Sequence, residues 1–109
     1  MKRGDVVLVA LQGDYGKPRP ALILQNDLIT TEESDSVVVC PMTSDLSGMQ
    51  EFRILVEPTP DNGLRLRSEI MVEKLSGVPR SRLREVVGEL DAESLRAVEQ
   101  ASLLVLGFT

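Results

Sequence analysis

Arg19 stands between Pro18 and Pro20 at the mouth of the apolar run Ala21-Leu22-Ile23-Leu24. Each proline fixes its own φ at about −65° and removes a backbone donor, and Pro20 also restricts Arg19 to extended conformations. The guanidinium is therefore held where a strand begins. It stays protonated at any working pH and offers a planar fork of donors that fits phosphate, so an arginine presented this rigidly reads as an oxyanion contact. The plainer alternative is a surface charge in a Pro-flanked turn. Lys17, two residues earlier, is a second candidate phosphate contact.

What the sequence lacks bounds the remaining chemistry. The 109 residues include no histidine, which removes the commonest general base, the commonest zinc ligand and every Ser-His-Asp or Cys-His scheme. Catalysis would have to use Arg, Lys, Asp, Glu, Ser, Thr or Tyr15. Metal-ligand spacing and a Gly-rich phosphate loop are both missing, so neither a metal nor another cofactor is expected. Cys40 is the single cysteine and ends the apolar run Val37-Val38-Val39-Cys40, where a free thiol behaves as a small hydrophobe. Aromatic side chains are limited to Tyr15, Phe52 and Phe108. Base stacking therefore cannot dominate any nucleic-acid affinity, and Tyr15 is the one stacking platform.

The formal charge of −5 argues against a nucleic-acid partner only as a sum, because distribution matters more. Asp27, Glu32, Glu33, Asp35, Asp45 and Glu51 fall in a stretch without Lys or Arg, whereas Arg53, Arg65, Arg67, Lys74, Arg80, Arg82 and Arg84 outnumber the acids between them. Either a basic face or a solvated strand edge would produce that pattern.

The elements that must position these residues follow from periodicity and turn chemistry. Residues 5–11 and 20–24 are β-rich runs separated by Gly13-Asp14-Tyr15-Gly16, which predicts a hairpin. A third strand is expected over 36–41, and continuous apolar character in all three predicts cover on both faces. Further strands are expected at 50–56 and 69–72, with Pro58-Thr59-Pro60-Asp61-Asn62-Gly63 as the turn between them. A short helical turn is expected at Ser81-Arg82-Leu83-Arg84. From Asp91, a good N-cap, the period changes: Leu95, Val98, Ser102 and Val105 share a helical face, and Gly107 offers a stop. The expected fold is mainly β with a C-terminal helix, an antiparallel sheet curling into a small partial barrel, as one domain over 1–109. The apolar runs are too short to span a bilayer. Lys2-Arg3 is followed by Gly4-Asp5 with no small-residue cleavage site, so no signal peptide is expected and a cytoplasmic home is.

Three segments in order carry a resemblance: Lys2-Arg3-Gly4-Asp5-Val6-Val7-Leu8-Val9, then Arg19-Pro20-Ala21-Leu22-Ile23-Leu24-Gln25-Asn26-Asp27, then Val38-Val39-Cys40-Pro41-Met42-Thr43-Ser44. In order and spacing they resemble the MazF/PemK family of toxins from bacterial toxin–antitoxin modules. Ile70-Met71-Val72-Glu73-Lys74-Leu75-Ser76-Gly77-Val78-Pro79-Arg80-Ser81-Arg82-Leu83 and Gly88-Glu89-Leu90 extend the resemblance over nearly the whole chain.

The resemblance implies an SH3-like barrel that forms a homodimer and cuts single-stranded RNA without a metal, leaving 2′,3′-cyclic phosphate and 5′-hydroxyl ends. It places the family's catalytic arginine on Arg19 and its strand-end threonine on Thr43. Glu73 falls on an acidic position where some members use a carboxylate as base or RNA contact; an ion pair with Lys74 or an arginine is the alternative. Lys17, Ser44, Tyr15, Asn26 and Lys74 complete the candidate RNA-binding set, although Gln25 and Asn26 read first as strand-end hydrogen-bonders. Members with a longer first loop carry an acid or histidine before the Arg-Pro motif. Here Asp14 is the only carboxylate in that loop. A MazE-like antitoxin is implied as partner, with the basic 53–84 region as a candidate seat for its acidic segment. Two rivals remain: a CcdB-type toxin that inhibits DNA gyrase without catalysis, which relies on a C-terminal Trp-Gly-Ile where this chain reads Leu106-Gly107-Phe108-Thr109, and a catalytically silent antitoxin-binding relative.

Overall fold

In the computed structural model, which describes residues 1–10, 17–49 and 51–109, strands β1 (Asp5–Val9) and β2 (Arg19–Ile23) pair antiparallel with Val9 opposite Arg19. The hairpin expected from the two apolar runs is therefore formed. Its loop, Gly13 to Gly16 with Asp14 and Tyr15, lies outside the described residues, as does Gln50. The chain continues through β3 (Ser36–Thr43), β4 (Arg53–Val56), β5 (Ser68–Met71), β6 (Ser76–Pro79), β7 (Leu83–Glu89) and helix α1 (Ala92–Val105). Short 3-10 turns occupy Asp27–Ile29, Val72–Lys74 and Arg80–Arg82.

All strand pairs are antiparallel, in the order β4-β5-β3-β2-β1-β7, with β6 attached to β3. The fold is mainly β with a C-terminal helix, as expected. Among the described residues no pairing joins β4 to β7, so the barrel is left open. β3 is the hub: Ser36–Val39 pairs with β6, Val39–Pro41 with β2, and Met42 and Thr43 with β5. Pro41, with no N–H to offer a neighbour, stands between the β6-paired and β5-paired parts of the strand.

The continuous apolar runs are explained by two cores, one on each face. Val6, Leu22, Cys40 and Met42 point to the face closed by Val98 and Ala101 of α1, with Ile70 and Val72 between. Val7, Val9, Ala21, Ile23, Val37 and Val39 point the other way, against Val78 and Leu83. Alternation along each strand thus feeds both cores, and each fully buried Val, Leu or Ile contributes on the order of 1.5–3 kcal/mol.

Helix α1 begins where Asp91 accepts the Ser94 N–H (2.9 Å). It ends with Gly107 at φ +82°, the Phe108 N–H donating to Leu103 and the Gly107 N–H to Leu104, which satisfies the last carbonyls. Its buried residues are Val98 and Ala101. Leu95, Ser102 and Val105 share that face and are half-buried, and the Ser102 hydroxyl donates to the Val98 carbonyl.

Strands β6 and β7 do not follow from the sequence pattern. β7 lacks alternation because its register against β1 shifts twice, between Val6 and Val7 and again before Val9. The turn before β5 presses against it: a Cβ at Gly88 would lie 2.3 Å from the Asn62 carbonyl carbon.

Candidate active site

Arg19 opens β2 and Thr43 closes β3. The two strands pair with Ile23 opposite Val39 and Ala21 opposite Pro41. That pairing brings the start of β2 alongside the end of β3, and alternation along each strand puts Arg19, with Ala21, on the same side of the sheet as Thr43, with Pro41. Arg19 is exposed and Thr43 half-buried. Lys17 is exposed just before the strand, and Ser44 just after Thr43.

The Thr43 hydroxyl oxygen accepts the Asp45 N–H (3.0 Å). A hydroxyl carries two acceptor sites and one donor. That turn therefore leaves the Thr43 O–H free to donate to an anion. Across β3 the next partner of Thr43 is Glu69 of β5, which is 1% exposed. Burial alone would raise its pKa, but hydrogen bonds from the Gly48 and Ser47 backbone, the Ser47 hydroxyl and Arg53 bring it down to about 2.

Arg53 sits between two carboxylates. Its Nε donates to Glu73 Oε2 (2.9 Å) with Nη2 on the same oxygen, and Nη1 reaches Glu69 Oε1 at 3.4 Å. The expected role of Glu73 as base or RNA contact therefore meets a competitor for its lone pairs. Desolvation opposes its ionisation, the Arg53 hydrogen bonds outweigh it, and the carboxyl ends below its usual range. A carboxylate held this way is a weak proton acceptor at neutral pH. Its other oxygen, Oε1, is buried without a hydrogen-bond partner. Cys40 behind it is fully buried, and burial followed by the Glu73 charge pushes its thiol up to about 12, consistent with a core residue.

Asn26 is not brought to this site. It lies beyond the other end of β2 from Arg19, and its side chain accepts the Leu28 N–H (2.9 Å) to cap the turn at Asp27–Ile29. Gln25 likewise bonds Thr30 and the Val38 N–H. Lys74 is exposed next to Glu73. Tyr15 is outside the described residues.

The basic stretch is divided: Arg65, Arg67, Lys74 and Arg84 are exposed, Arg80 and Arg82 are half-buried, and Arg53 is buried. Arg53 is buried between carboxylates, Arg67 pairs with Glu57, Arg80 donates to the Ser34 and Thr31 carbonyls, and Arg82 donates to the Ala10 carbonyl. Arg84 donates to Ser81 and Leu83. Most of these guanidiniums hold the chain together. Among the described residues, no group of three or more Cys, Asp or Glu side chains is arranged to hold a metal ion.

Glu69, Arg53 and Ser47 are the site-wall residues that sequence reasoning passed over. The available signal was a glutamate inside an otherwise apolar strand, Glu69-Ile70-Met71-Val72, four residues before a second glutamate.

Residues 2–106 match the family model described as PemK-like, MazF-like toxin of type II toxin-antitoxin system, and the chain belongs to that family. A relative from Mycolicibacterium smegmatis, named "Probable endoribonuclease MazF", is 41% identical over 98% of this chain and 97% of its own. The fold is also that of the Mycobacterium tuberculosis toxin MazF-mt6 (TM-score 0.78, 23% identity, 94% of this chain and 96% of that one). A MazE-MazF crystal structure from Deinococcus radiodurans is equally similar (TM-score 0.80, 22% identity, 100% and 98% covered). No helix among the described residues is long and apolar enough to cross a membrane.

Proposed function

We propose that this chain is the endoribonuclease toxin of a type II toxin–antitoxin pair, cutting single-stranded RNA without a metal, with residues 1–109 as one toxin domain. The observation that supports this reading is the antiparallel pairing of β2 with β3, which brings the start of β2, at Arg19, alongside the end of β3, at Thr43. The RNA 2′-hydroxyl attacks the adjacent phosphorus as its proton passes to solvent water, the 5′-oxygen leaves and takes a proton from water, and 2′,3′-cyclic phosphate and 5′-hydroxyl ends result. Arg19 supplies a fixed positive charge and two parallel donors to the non-bridging oxygens as negative charge builds on the phosphorane. Thr43 donates a hydrogen bond from its hydroxyl to one of the same oxygens, and Ser44 and Lys17 hold the neighbouring backbone. Arg19, a guanidinium with five N–H donors and no acceptor, is a stabiliser rather than a base. Glu73 takes no proton in this scheme, because Arg53 occupies it.

The partners follow from the family. A MazE-like antitoxin would neutralise the enzyme in the cytoplasm, and the toxin would act as a homodimer. Light scattering at micromolar concentration should read twice the 12.0 kDa chain mass; a monomer alone would remove the dimer from the reading.

The decisive test is incubation of the purified chain with mixed-sequence single-stranded RNA in EDTA, with end-group mapping of the products. Cuts bearing cyclic-phosphate and 5′-hydroxyl ends are expected. No cleavage of any sequence would transfer the protein to gyrase inhibition or to silent antitoxin binding.

A further inference from the structure

Glu69 is fully buried within β5 and out of reach of any RNA, yet it gathers four donors. The Ser47 N–H reaches both carboxylate oxygens (3.1 and 3.2 Å), the Gly48 N–H reaches Oε2 (3.0 Å), and the Ser47 hydroxyl reaches Oε1 (2.9 Å). Arg53 Nη1 is the fourth donor. Three of the four belong to the segment that leaves Thr43. Residues 44–49 of that segment are exposed and form no strand or helix, and Gly48 takes φ +79°. A segment with no ladder of its own has backbone freedom to lose at every residue when it is ordered. Here its course is fixed by the Thr43–Asp45 turn at one end and by the Glu69 carboxylate at the other. Arg53, itself locked by Glu73, keeps that carboxylate charged and aimed. Glu69 is also the direct ladder partner of Thr43.

We infer that Glu69 is a positioning residue: it ties residues 44–48 back onto β5 so that the hydroxyls of Thr43 and Ser44 face the side of the sheet that carries Arg19. The inference rests on the ribonuclease reading. A buried ion pair kept only for stability would act on folding alone. A tether acts on the chemical step through Thr43.

The test compares RNA cleavage by the parent, Glu69→Gln, Thr43→Ala and the double variant, at a temperature where circular dichroism shows each to be folded. Glu69→Gln is expected to lower kcat by about 10-fold with KM within about threefold, because displacing a catalytic hydroxyl by a fraction of an ångström weakens the transition state more than the ground state. In the Thr43→Ala background the same change should add nothing beyond about twofold, as two residues on one path are not additive. Glu69→Gln cleaving within about twofold of the parent, or multiplying fully with Thr43→Ala, overturns the inference while leaving the ribonuclease intact. A parent that cleaves nothing overturns both readings. Should Glu69→Gln fail to fold, Ser47→Ala removes one tether bond, and about a threefold loss in kcat with faster amide exchange at Gly48 is expected. Unchanged kcat and exchange in Ser47→Ala would overturn the tether.

Discussion

Arg19 and Arg53 each occupy the first position of a strand, and the pairing register puts both on the same side of the sheet as Thr43. Their surroundings are opposite. Arg53 is 9% exposed and shares its guanidinium between Glu69 and Glu73, so its charge is neutralised inside the protein. Arg19 stands exposed between prolines, with Lys17 adding a second positive charge nearby. The difference teaches that a guanidinium becomes a structural part or a substrate contact according to its neighbours: Arg53 completes a buried ion chain, whereas Arg19 presents a field that a phosphate can use.

Replacing each arginine should separate the two roles most strongly. Arg19→Ala should reduce the rate of RNA cleavage by about 10²-fold or more, the scale of losing a transition-state oxyanion contact, with the melting temperature nearly unchanged. Thr43→Ala should follow with about 10-fold or more. An Arg19 variant that cleaves normally would erase the distinction. Arg53→Ala should do the reverse first, stranding two carboxylates and costing about 3 kcal/mol or more, a fall on the order of 10 °C in Tm by calorimetry.

Acid should sharpen the contrast. The folded pKa of Glu69 is depressed from an ordinary 4.5 to about 2, and Glu73 moves in the same direction. The stability these carboxylates contribute is therefore fully present above about pH 4.5 and is lost as pH falls toward 2. Urea midpoints measured at pH 5, 4 and 3 should decline across that window, and the decline should be shallower in Glu69→Gln. A midpoint flat to pH 3 would mean that the buried cluster is not ionised as described. The smallest effect is expected away from both arginines: Asp91→Ala removes the cap on the Ser94 N–H and should cost about 1 kcal/mol without altering cleavage.

Local chemistry made much of this legible. The apolar runs announced strands covered on both faces, and Asp91 and Gly107 announced both ends of the helix. β6 and β7 were not legible. β7 reaches its place through register shifts and a glycine pressed on a distant turn, none of which leaves a periodic trace.

The site divides in the same way. Sequence alone bounded the chemistry, since the absence of histidine left Arg, Lys, Asp, Glu, Ser, Thr and Tyr15, while the resemblance to the toxin family singled out Arg19 and Thr43 as candidates among them. Tertiary structure alone decided that Glu73 belongs to Arg53 and that Glu69 holds the segment after Thr43, whereas the strand-end hydrogen bonding of Asn26 was already legible. The two glutamate assignments depend on contacts between residues 16–22 positions apart. The strength of a charge pair is set by burial and partner geometry, which exist only once the strands have packed.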